Sequence, residues 1–76
     1  MSETRWIWVI VDFGDEGIKP VSFEVIHGAR QLADSINGKV DALCFGVKEP
    51  DHAEDLIHYG AHRVRILNNH HFKIFI

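Results

Sequence analysis

WIWVIVDFGDEGIKPVSFEVIHGARQLADSINGKVDALCFG, residues 6–46, holds an apolar run, a loop, a helical pattern and a second apolar run in that order. Trp6–Val11 is continuously apolar and rich in aromatic and β-branched residues, which predicts a strand buried on both faces. The following DFGDEGIKP has two glycines and a proline and reads as a loop. A helix comes next. Ser22 is its expected N-cap, with Glu24 in the first turn and Val21 and Ile26 placed as a hydrophobic staple. Val25, Ile26, Ala29, Leu32, Ala33 and Ile36 recur at helical spacing and form one apolar stripe. Gly28, expected on the buried side, costs about 1 kcal/mol relative to Ala unless helix and sheet approach closely there. Asn37-Gly38 stops the helix, with Gly38 available for the left-handed conformation of a C-terminal cap.

A second unit repeats the plan. Val40–Phe45 is a strand closed by Gly46. Pro50 and Asp51 open a short helix, with Asp51 and Glu54 spaced as a capping box. Ala53, Leu56 and Ile57 form its inner side and Gly60 ends it. Arg63–Leu67 is the third strand. Strand, helix, strand, helix, strand at this spacing predicts a parallel sheet with right-handed crossovers, half of a doubly wound, Rossmann-like α/β domain. In the tail, NNHHFKIFI, Phe72, Ile74 and Ile76 alternate with Lys73 and Phe75 as in the start of another strand or helix, and the pattern stops at Ile76. Either the chain ends in an unusual way or it is the front part of something longer.

Composition sets the outer bounds. The 76 residues allow one small domain, and 46% hydrophobic with 25% charged residues is globular rather than disordered. A net charge of −3 argues against a nucleic-acid partner. The lone Cys44 cannot form an internal disulfide and suggests a reducing, cytoplasmic setting. The N-terminal apolar run is too short to span a bilayer and lacks a cleavage pattern, so neither membrane insertion nor a leader is expected.

Chemical motifs are sparse. Ligands of open α/β sheets sit beyond the carboxyl ends of the strands. The loop there has Gly14 and Gly17 but neither phosphate-binding glycine pattern, and Asp12, Asp15 and Glu16 repel a phosphate. Asp12, Phe13, Gly14 and Gly46 are the residues that would meet a nucleotide or partner at this end. Six histidines raise the question of a metal. His58 and His62 have the i, i+4 spacing of a helical ligand pair, but Gly60 separates them. His70 and His71 would diverge on a strand. No metal site is expected. Cys44 lies in an apolar strand, where thiols are inert, and no catalytic constellation appears. Trp6 and Trp8 share one face of their strand.

KPVSFE (19–24), ARQLA (29–33), ALCFG (42–46) and YGA (59–61) occur here in order, and together residues 6–67 resemble the N-terminal domain of an electron transfer flavoprotein alpha subunit. Asp12 stands where that family often has Glu, and the tail lacks the acidic segment expected there. The resemblance implies a Rossmann-like domain of the adenine nucleotide alpha hydrolase-like type across residues 1–76. It implies no enzyme activity of its own, a subunit-contact role beside the beta subunit, and FAD bound outside these residues. The redox partners would be dehydrogenases, with NADH and ferredoxin in bifurcating relatives. Trp6, Trp8 and residues 72–76 would then be surfaces covered by further chain or partner. Two alternatives are a stand-alone nucleotide-binding sensor and a small enzyme using Asp12 and Glu16 as acid and base.

Overall fold

The computed structural model describes residues 3–46, 53–68 and 72–76. Strand β1 (Trp6–Ile10) leads into a small hairpin of β2 (Phe13–Gly14) and β3 (Gly17–Ile18), then helix α1 (Pro20–Ser35). Strand β4 (Lys39–Phe45), helix α2 (Glu54–Tyr59), β5 (Arg63–Leu67) and β6 (Phe72–Phe75) follow. The main sheet has the order β1-β4-β5-β6, with the first three strands parallel and β6 antiparallel to β5. The parallel half-Rossmann plan is therefore present. The tail is a strand that returns along β5.

Both crossovers step the same way across the sheet, so right-handed connections put both helices on one face. Val9, Val11, Val40, Ala42, Cys44, Val64 and Ile66 point to that face and pack with Ile26, Ala33 and Leu56 of the helices. Among the described residues the opposite face has no such layer. On β1 this splits the apolar run: Val9 and Val11 are buried, while Trp8 is 66% and Ile10 61% exposed. The expectation of burial on both faces is thus corrected, because Trp6, Trp8 and Ile10 face the uncovered side.

Helix α1 begins earlier than Ser22 suggests. Lys19 is the N-cap residue and Pro20, whose missing N–H is no loss at the first helical position, opens the helix. Ser22 lies inside and its buried hydroxyl accepts the Asp12 N–H at 2.8 Å, tying the helix entry to the end of β1. Glu24 consequently falls outside the first turn, and the proposed staple residue Val21 is half exposed. The stripe is divided too. Ile26 and Ala33 are fully buried, whereas Val25 and Leu32 face outward. Gly28 is exposed, with nothing within 4 Å of where its Cβ would be. Its expected close approach to the sheet does not occur. At the other end Asn37 takes the left-handed conformation (φ 57°), not Gly38. Gly38 serves a different need: a Cβ there would lie 2.7 Å from the Arg5 carbonyl oxygen.

The second unit follows the expected plan more closely. Leu56 and Ala53 are buried and Gly60 ends α2 with φ 136°. Glu54 and Asp55 in the first turn complement the helix dipole, and His58 lies in the last turn. Pro50 and Asp51 lie outside the described residues. Ala53 is the N-cap residue and makes no side-chain cap.

Candidate functional site

The carboxyl ends of β1 and β4 lie side by side, since Ile10 pairs with Leu43 and the Val11 N–H donates to the Leu43 carbonyl. Asp12, Phe13 and Gly14 leave the first of these ends and Gly46 the second. Gly46 turns with φ 75° and donates its N–H to the Leu67 carbonyl. The geometry around Asp12 is closed by its own neighbours. Its carbonyl accepts the Lys19 N–H at 2.9 Å, and its carboxylate pairs with Lys19 Nζ at 3.4 Å. The Lys19 stem lies against Gly14, with Cε 3.4 Å from the position of a Cβ. The single cation of this loop is thus already engaged, while Asp15 and Glu16 stand exposed at the turn of the β2–β3 hairpin. Asp12, Asp15 and Glu16 thus place negative charge at that end of the sheet. Asp12 and Glu16 are both exposed and no bond joins them to a shared proton, so the acid–base pair gains nothing from the structure.

A charged cluster that the sequence reading did not single out lies at the amino end of the sheet. Asp41, fully buried in the central strand, faces away from the helices. Its carboxylate accepts from Arg63 Nη2 at 2.8 Å, from Arg65 Nε at 3.2 Å and from Arg65 Nη2 at 2.6 Å. The Arg63 guanidinium stacks on Trp6 at 3.9 Å from the ring centre, Lys39 Nζ lies 5.8 Å from the same ring, and Arg65 sits 5.9 Å from Trp8. A charge inside an apolar strand must be paired. The signal was the lone Asp in KVDALCF and the alternating arginines of RVRIL, which share one face.

The other polar candidates have structural work. His62 lies beyond the end of α2, so it shares no helical face with His58. Its Nδ1 accepts the Val40 N–H at 3.0 Å, while its own N–H donates to the Val40 carbonyl. Burial lowers its pKa below 6.5, helped by the positive charges of Arg30 and Lys39 and opposed by Asp34. His70 and His71 lie outside the described residues. Among the described residues no group of His, Cys, Asp or Glu is placed to hold a metal ion. Cys44 is buried against the helices, and burial raises its thiol pKa to about 11, which keeps it protonated and unreactive.

The four short motifs of the sequence meet one another in space. Arg30 of ARQLA donates to the carbonyl of Gly60 in YGA at 3.0 Å, and Tyr59 packs on Phe23 with ring centres 4.6 Å apart. A Cβ on Gly60 would sit 2.7 Å from the Arg30 Cβ, so only glycine fits. Ala33, Ala42 and Ala61 fill the core. The electron transfer flavoprotein domain family matches residues 7–75. The chain belongs to the electron transfer flavoprotein family. It is 35% identical over 69 residues, 91% of its length, to the electron transfer flavoprotein subunit alpha of Megasphaera elsdenii. It is 38% identical over 72 residues, 95% of its length, to the LctC subunit of the lactate dehydrogenase (NAD(+),ferredoxin) of Acetobacterium woodii. The chain spans about a fifth of these relatives, 20% of the first and 17% of the second. No solved structure gives a significant match. In this flavoprotein domain the motif residues cap, pair and pack, and none of them converges on a reaction centre. No helix of the described residues is long and apolar enough to cross a membrane.

Proposed function

We propose that residues 1–76 act as a structural and subunit-contact domain of an electron transfer flavoprotein alpha subunit, supporting FAD-mediated electron transfer from dehydrogenases to an acceptor in the cytoplasm. The observation that carries this reading is the family match over residues 7–75, together with the use of its motif side chains for packing. The chain is a carrier component rather than an enzyme. FAD is bound outside residues 1–76: the loop at the carboxyl ends of β1 and β4 presents Asp12, Asp15 and Glu16 where a pyrophosphate would lie, and its lysine is paired to Asp12. The residues present do not fit the cofactor. The partner is an electron transfer flavoprotein beta subunit, and the name of the Acetobacterium relative makes NAD and ferredoxin the natural redox couples to test.

The decisive experiment is untagged purification from the source, with the visible spectrum and the intact masses of every polypeptide that copurifies. A second, beta-type polypeptide and a flavin band near-stoichiometric with the pair are expected. A colourless, unaccompanied chain would remove the flavoprotein role.

A further inference from the structure

We infer that Asn37-Gly38, the joint between α1 and β4, is a spontaneous deamidation site that the fold itself holds shut, independently of any flavoprotein role.

Two separate structural demands place this pair. Residue 37 follows the C-cap Ile36 and turns with φ 57°, the left-handed region that Asn and Gly tolerate best. Residue 38 passes the start of β1 so closely that a Cβ would lie 2.7 Å from the Arg5 carbonyl oxygen, so only Gly clears it. The result is an exposed Asn side chain followed by a backbone nitrogen with no Cβ beside it. Attack of that nitrogen on the side-chain amide is then least hindered. The Gly38 nitrogen forms a bond to Asn37 Cγ, the Cγ–Nδ2 bond breaks, and Nδ2 leaves as ammonia with the Gly38 amide proton. One water then opens the five-membered imide. Cleavage at Cγ gives an aspartate at position 37, and cleavage at the main-chain carbonyl gives an isoaspartate. Nothing is oxidised or reduced, and water is the only co-reactant.

The fold opposes the first step. The Gly38 N–H donates to the Ala33 carbonyl at 2.7 Å, which keeps its proton in place and pins the nitrogen to the last turn of α1. The Ile36 N–H is shared between the Leu32 and Ala33 carbonyls, and the Lys39 N–H donates to the Arg5 carbonyl at 2.7 Å. Turning Asn37 toward attack takes Gly38 away from Ala33 while the Arg5 oxygen crowds it from the other side. The reaction therefore waits on fraying of the last helical turn, an opening far less costly than that of a core strand. The isoaspartate product carries the chain through Cβ and Cγ, one carbon longer. Gly38 and Lys39 then cannot keep both bonds, and the pairing of Lys39 with Trp6 at the start of β1 and β4 is lost. A transient opening is thereby made permanent.

The chain is incubated at mildly alkaline pH, folded and in denaturing urea, and the tryptic peptide 31–39 is followed by mass spectrometry with electron-transfer fragmentation, which separates aspartate from isoaspartate. Both products are expected from the unfolded chain. The folded chain should react at least about tenfold more slowly, an opening free energy of ~1.4 kcal/mol, and accelerate only weakly in sub-denaturing urea. Leu32→Gly, on the exposed side of the last turn, should speed the folded chain several-fold, and Gly28→Ala in the same helix should slow it. Both variants should match the parent once unfolded. The isoaspartate form, isolated and refolded, should have a lower urea midpoint than Asn37→Asp. Equal rates in the folded and unfolded chain overturn the inference. So does a urea dependence as steep as global unfolding, or one folded rate shared by parent and both variants. Absence of isoaspartate from the unfolded chain overturns the site itself.

Discussion

Asp41 shows how much one buried side chain can carry. Its carboxylate is fully buried, while Arg63 and Arg65 keep 29% and 24% of their side chains in water. Breaking a buried pair leaves uncompensated charge, but the partial exposure of the arginines lowers the cost. Asp41→Asn is expected to reduce stability by about 2–3 kcal/mol, read from the urea midpoint at constant m-value. Arg63→Gln should cost less, because Arg65 holds the carboxylate through two nitrogens. His62 makes a second, pH-dependent contribution. Its folded pKa lies below 6.5, so the unfolded chain takes up a proton more readily. The stability it contributes is complete above 6.5 and is lost as pH falls through the folded pKa. His62→Asn, whose side-chain oxygen can still accept the Val40 N–H, is expected to flatten that acid limb in urea titrations across the window below 6.5.

Helices α1 and α2 illustrate how a glycine's meaning depends on where its element packs. Gly28 is on the outer side of α1 with open space around it, and Gly60 is in contact with Arg30 at a positive φ. Gly28→Ala should stabilise the protein by about 1 kcal/mol, the helix-propensity difference. Gly60→Ala should destabilise it by at least about 1–2 kcal/mol through backbone strain and the clash with Arg30. Thermal unfolding of the two variants tests both signs at once. Helical periodicity placed α1 correctly but could not show where its first turn lies. A serine before an apolar run is a good cap, yet Pro20 preorganises the backbone two residues earlier, and Ser22 is then recruited by Asp12 across 10 positions of sequence.

For the molecule as a whole, protection follows position in the sheet. β4 is central, flanked by β1 and β5 and covered by the helices on one side. Among the described residues β6 pairs only with β5, at the opposite edge from β1. In native-state hydrogen exchange the amides of Ala42–Cys44 are expected to be the slowest, and those of β6 and the β2–β3 hairpin the fastest. Uniform protection across all four strands would contradict this layering. The helix-covered side holds the buried core, and Trp8 and Ile10 stay exposed on the other side.

The succession of strands and helices was legible in the chain because it rests on short-range causes: apolar periodicity, turn-forming glycines and a proline that opens a helix. The family resemblance was legible for a related reason, since its motifs are the caps and small core residues that such elements require. The charge cluster, the His62–Val40 exchange and the uncovered face were not. Asp41 meets Arg63 and Arg65 across 22 and 24 positions, and His62 meets Val40 across 22. Contacts of that kind exist only once strand register is set. Which side of β1 is buried depends on the hand of two crossovers, and six apolar residues in a row carry no trace of it.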